Sequence, residues 1–179
     1  MCASCFNINK SQTILTKMNS QHGIVLINIT LNALTPYFEF NLCLNNPFCT
    51  NKKFFIALVD KKKFDKNYLN GSFETGKLPF YFYWDVYKNK ILKKGKNGND
   101  FKYIEFEKLC QCFLNNYETK FGIMYDQEKH SVKLYRNDCE LEIEIQNIPA
   151  GLVPAIELHM EECKIQLSSN TEKQEIFYL

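Results

Sequence analysis

Apolar and polar residues alternate along much of this chain with a period of two, in short segments separated by Asn, Gly, Pro and Lys clusters. That period turns successive side chains to opposite faces and predicts β-strands, each with one wet and one buried side. "YFEFNLCL" (37–44) places Phe38, Phe40, Leu42 and Leu44 on one face, and "GIVLINITL" (23–31), "KFGIMYD" (120–126), "SVKLYRN" (131–137), "LVPAIEL" (152–158) and "CKIQL" (163–167) also read as strands. "FFIALVD" (54–60) is almost continuously apolar, the signature of a central strand covered on both sides. "FYFYWDVY" (80–87) is a further strand, followed by a "KNK" turn and an exposed "KKGKNGND" loop. In "IEFEKLCQCFLNNY" (104–117), Leu109, Phe113 and Tyr117 recur at helical spacing behind Glu105 and Glu107, which predicts a short helix. The whole reads as all-β, a two-layer antiparallel sandwich with at most one short helix.

"DCELEIEIQ" (138–146) raises a chemical question, because Glu140, Glu142 and Glu144 share one face. Alternate residues on a strand lie roughly 6.5 to 7 Å apart, too far for several carboxylates to close on one ion at about 2.0 to 2.6 Å. The row therefore reads as the water side of a three-stranded antiparallel unit, with basic neighbours such as Lys133 placed to pair with it across strands.

A chain of 179 residues suggests one domain, taken as 11–169, with a flexible segment at 1–10 and a tail or edge segment at 170–179. Net charge is only +2, and the basic clusters at 61–63 and 88–96 are interrupted by apolar residues, so nucleic acid is not expected. There is no apolar run of membrane-spanning length. The chain has eight cysteines, and its start, "MCASCFNINKSQ", lacks signal-peptide character, which predicts a reducing, cytoplasmic setting. Cys2 and Cys5 form one C-x-x-C without a second half, so no zinc or other cofactor is expected.

Chemistry-bearing motifs are sparse. The histidines are His22, His130 and His159; phosphate-binding glycine loops are absent. His159 and Cys163 are close enough in sequence for a Cys-His nucleophile pair, and with Cys110 and Cys112 they define the alternative, a thiol- or metal-dependent enzyme. Aromatic residues make up 15% of the chain; Trp84, Phe38, Phe40, Phe54 and Phe55 read as core, which disfavours a third option, a carbohydrate-binding sandwich with an exposed aromatic platform.

In order along the chain, 56–60, Trp84, Gly95, 121–126 ("FGIMYD"), 132–137 ("VKLYRN") and 152–158 ("LVPAIEL") resemble the segments of a SPRY domain. The front, "FNINKSQTILTKMNSQHGIVLINITL", is similar to the start of the Neuralized homology repeat, a relative with the same sandwich. Asp138 and Cys139 stand where glycine usually follows the asparagine, and the Asp-Tyr-Gly ending of the Neuralized repeat is missing near "IELHMEE", which leaves the subfamily open. The resemblance implies a concanavalin-like jelly roll and a non-catalytic, monomeric module that binds a peptide or loop of a partner protein, often to select substrates for ubiquitin ligation. No RING pattern is present, so that link requires a partner or a longer protein. By the same resemblance the partner-binding surface comprises Tyr68 and Phe73 in the long polar connection 61–79, and Leu158, His159 and Met160. Large apolar side chains in polar segments also read as plugs that fold back over the sandwich ends.

Overall fold

The computed structural model describes residues 6–9, 13–19, 23–45, 53–64, 68, 71–75, 77–94, 101–105, 118–160, 162–168 and 176–177. They form β1 (Phe6–Ile8), β2 (Ile14–Lys17), β3 (Gly23–Ile27), β4 (Tyr37–Leu44), β5 (Phe54–Val59), β6 (Phe82–Asp85), β7 (Lys90–Lys94), β8 (Phe101–Glu105), β9 (Glu118–Asp126), β10 (Ser131–Arg136), β11 (Cys139–Gln146), β12 (Val153–Leu158), β13 (Cys163–Leu167) and β14 (Ile176–Phe177). Two seven-stranded antiparallel sheets result, ordered β1-β2-β13-β4-β9-β10-β11 and β14-β3-β12-β5-β6-β7-β8. The expected two-layer sandwich is present. Both ends of the chain contribute edge strands, β1 pairing with β2 and β14 with β3.

Alternation builds the main core. Phe38 and Phe40 of β4, Phe121 of β9, Phe54 of β5 and Trp84 of β6 meet between the sheets, with Phe121 lying 5.6 Å from Phe40, 5.2 Å from Phe54 and 5.6 Å from Trp84. Each such ring stabilises the fold by roughly 1.5–3 kcal/mol through burial, and the edge-on contacts add to that.

β5 behaves as its unbroken apolar run predicts. Phe54, Ile56 and Leu58 face the main core, while Phe55, Ala57 and Val59 face a second cluster on the far side of their sheet. That far face is sealed by the connection after β5, whose Phe64, Phe73, Leu78 and Phe80 pack over Phe55 and Tyr83.

β10 and β11 are joined by a two-residue turn, Asn137 and Asp138, both with positive φ (49° and 63°). Such turns match the twist of the strands, and Asn and Asp tolerate the left-handed region better than other non-glycine residues. Lys120 ties the turn down: its N–H donates to Asn137 Oδ1 at 2.9 Å and its Nζ reaches Asp138 at 3.0 Å.

Two expectations need correction. Ile104 and Glu105 end strand β8 rather than starting a helix, because this segment completes a hairpin with β7, pairing Ile104 with Ile91. The rest of that proposed helix, residues 106–117, lies outside the described residues, as does Gly95. The "FYFYWDVY" strand is shorter than expected, since Val86–Asn89 turn toward β7 with Asn89 at φ 51°.

Candidate functional site

The expected rim residues meet near the end of β12. Pleating sends Leu158 into the main core and its neighbour Glu157 to the opposite face of the sheet, under the covering connection. Glu157 is fully buried. Its Oε2 accepts the Phe73 N–H at 2.8 Å and its Oε1 lies 2.6 Å from His159 Nε2. A buried carboxylate is tolerated only when hydrogen-bonded in this way. Phe73, which opens a single 3-10 turn (Phe73–Thr75), is thereby pinned to β12, and His159 is held edge-on to Phe55 at 6.0 Å.

Glu157 thus joins two of the expected residues, although sequence reading did not single it out. The available signal was a lone acid inside the apolar run "LVPAIEL". Tyr68 packs on Phe64 at 5.6 Å and stays partly exposed. Met160 is buried in the main core. Expected to face a partner, Phe73, Leu158 and Met160 have their side chains packed inside, Phe73 in the cluster under the covering connection and Leu158 and Met160 in the main core. Of the five expected residues, Tyr68 and His159 stay partly exposed.

A groove lies elsewhere, between the β3–β4 loop and the β9–β10 hairpin. It encloses about 380 Å³ and is lined by Ala33, Pro36, Met124, Tyr125 and Tyr135, with Lys133 and the turn 126–129 at its margin. Asn32 Oδ1 shapes the loop by accepting N–H groups from Leu34 at 2.8 Å and Thr35 at 3.1 Å. Tyr125 N–H donates to the Pro36 carbonyl at 2.7 Å, fixing loop to strand. Leu34, between the lining residues Ala33 and Pro36, is 92% exposed, and Met124 is 41% exposed.

Behind the groove, Tyr37 crosses Gly122, where a Cβ would stand 2.6 Å from its hydroxyl oxygen, and meets Tyr135 edge-on at 5.9 Å. Burial and the hydrogen bond to Glu39 push the Tyr37 phenol well up. The Tyr135 hydroxyl donates to Glu140 at 3.1 Å and Lys133 Nζ lies 2.8 Å from the same carboxylate. Lys133 first, and Tyr135 second, hold Glu140 below the usual carboxylate range. Glu140, Glu142 and Glu144 are all exposed, as expected of the wet side of β11, and do not converge.

A second cavity of about 330 Å³ is lined by Glu74, Tyr83, Asp85, Lys88, Lys90 and Leu92. Both of its carboxylates are paired: Lys53 lies 2.6 Å and Lys88 3.2 Å from Glu74, and Lys88 3.4 Å from Asp85. The hydrogen bond from Lys53 leads in lowering the Glu74 pKa.

The Cys-His pair does not form. Cys163 belongs to the main core, with its thiol 3.6 Å from the Met160 carbonyl, whereas His159 turns to Glu157 and Phe55. Burial pushes the Cys43 thiol up, away from thiolate character. Cys2, Cys5, Cys110, Cys112 and His22 lie outside the described residues. Among the described residues no group of three His, Cys, Asp or Glu side chains is arranged to hold a metal ion, and no helix is long and apolar enough to cross a membrane.

No protein-family model matches the sequence, and no curated protein matches it. Solved structures do match. A human SPRY domain superposes with a TM-score of 0.61 at 14% identity, covering 94% of this chain and 98% of the other. The PSpry domain of TRIM65 gives 0.57 at 9% identity, covering 93% and 86%. The SPRY domain of human HERC1 gives 0.55 at 12% identity, covering 94% and 95%. The chain has the SPRY-like fold.

Proposed function

We propose, taking the SPRY-like fold as premise, that this chain is a non-catalytic module that captures a segment of a partner protein in the groove between the β3–β4 loop and the β9–β10 hairpin. The observation that carries the reading is Leu34, turned out to solvent on a loop already fixed by Asn32, between Ala33 and Pro36, which line the groove with Met124 and Tyr135. A loop backbone fixed before binding loses little conformational freedom when it is covered. A preformed groove also requires little backbone change. The resemblance to SPRY domains supports the finer reading, in which the module is a cytoplasmic monomer and its captured protein is a substrate for ubiquitin ligation. The rim formed by Tyr68 and His159 is a second contact surface consistent with that resemblance.

The test is affinity capture from cell extract with the intact chain, a Leu34→Asp, Met124→Asp variant and a Tyr68→Ala variant. A partner retained by the intact chain and by Tyr68→Ala, but lost from the double variant, supports the groove. Loss only from Tyr68→Ala moves the site to the rim, and equal recovery from all three removes both. A stoichiometric metal or one fast-reacting thiol would favour the alternative, a thiol- or metal-dependent enzyme.

A further inference from the structure

β11 is the last strand of its sheet, and among the described residues it pairs with β10 alone. It is eight residues long, so among the described residues its outer side carries a row of backbone groups with no strand partner, a template for strand addition. One carbonyl near the end, that of Gln146, accepts Lys93 Nζ from the other sheet; the stretch before it stays open among the described residues.

The side chains define what fits this edge. On the wet face, Glu140 is engaged by Lys133 at 2.8 Å and Glu144 by the Ser131 hydroxyl at 2.6 Å, both from the β10 side. Glu142 falls where the β10–β11 register shifts between Lys133 and Tyr135, and it has no hydrogen bond or ion pair within the described residues. On the other face Ile143 is only partly buried against the core, while Leu141 and Ile145 are fully covered. An added strand with basic residues on one face and apolar ones on the other would meet the glutamates and cover Ile143.

A second copy of the chain does not fit. Antiparallel pairing of two β11 strands sets glutamate against glutamate, and like charges directly opposite are destabilising. The row that repels a copy favours a basic strand.

We propose that the open edge of β11 takes an extended segment of a partner protein whose side chains alternate between Lys or Arg and apolar residues, extending the sheet by one strand. This site is separate from the groove, and its failure would leave the groove reading intact.

The test uses the full chain and a fluorescent peptide of alternating lysine and valine, with anisotropy read in about 0.1 M salt, where attraction between surface charges is largely screened beyond about 10 Å. Two further peptides carry N-methyl groups on alternate amides, one on each edge, with charge unchanged. An added strand hydrogen-bonds through one edge only. The expected result is binding of the parent, loss of about tenfold or more from one methylated peptide but not the other, and about tenfold weakening by Glu142→Lys at unchanged melting temperature. A glutamate–valine peptide should not bind, and Leu34→Asp should leave binding unaltered. Absence of parent binding, equal binding of both methylated peptides, or indifference to Glu142→Lys would overturn the proposal.

Discussion

The two sheets of this sandwich treat their outer faces in opposite ways. The face carried by β9, β10 and β11 is wet, with Tyr135, Lys133 and the glutamates of β11 standing in solvent or pairing across strands. The face carried by β5, β6 and β12 is sealed by the connection after β5, which drops Phe64, Phe73, Leu78 and Phe80 onto it and anchors itself to Glu157. Identical pleating supports both outcomes. What separates them is whether the strand alternates or runs apolar throughout: β11 shields only Leu141, Ile143 and Ile145, whereas β5 is buried at every position. Continuous hydrophobicity in a strand is therefore a request for a second cover, and in this chain a connection rich in lysine and asparagine supplies it through a few aromatic residues.

The comparison breaks most severely at Phe73. Phe73→Ala should cost about 3–5 kcal/mol in urea unfolding, the range for a deleted core phenylalanine, while Met124→Ala on the wet face should stay within about 0.5 kcal/mol. Equal losses would mean that the two outer faces are not different in kind.

Glu157 sharpens the contrast one step down. Glu157→Ala leaves the Phe73 N–H and His159 without their buried acceptor, and should cost about 1–3 kcal/mol. Limited proteolysis should then cut sooner within 61–79 than elsewhere. Unchanged cleavage there would show that apolar packing alone holds the cover.

A smaller effect concerns acid. Glu140 on the wet face and Glu74 beside the cover both titrate below the ordinary glutamate value, each chiefly through a lysine hydrogen bond. A depressed folded-state value means the stabilisation is present above the unfolded-state pKa, about 4.3, and disappears as pH falls through the folded value. Glu140→Gln should therefore lower the urea midpoint at pH 7 and leave it unchanged at acid pH below that value. The reverse pattern, a deficit growing with acid, would contradict the Lys133 pairing.

Least perturbing should be Leu34→Asp, whose side chain touches little. Its melting temperature should match the parent within the equivalent of about 0.5 kcal/mol, while partner capture in the groove is lost. A large drop in stability would show that Leu34 serves the fold instead.

Much of this architecture was legible before any coordinates. The bounds of β4 and β13 coincide with their alternating runs, and the water-facing placement of Glu140, Glu142 and Glu144 followed from period alone. Ile104 and Glu105 belong to a strand because they pair with β7, and local pattern carries no information on that hairpin. Phe73 and Met160 stand out in the sequence as large apolar residues in polar segments, but the same composition describes an anchor for a partner and a plug for a sheet, and both side chains are buried.

Period-two patterning determined that the chain forms two layers and which strand would be covered on both sides, because the side to which each residue points depends only on its neighbours. The tertiary structure alone decided what does the covering, that Glu157 holds it, and that Ala33, Pro36 and Met124 share a groove. Those contacts join segments far apart in the chain, and no local periodicity encodes which distant segment a given face will meet.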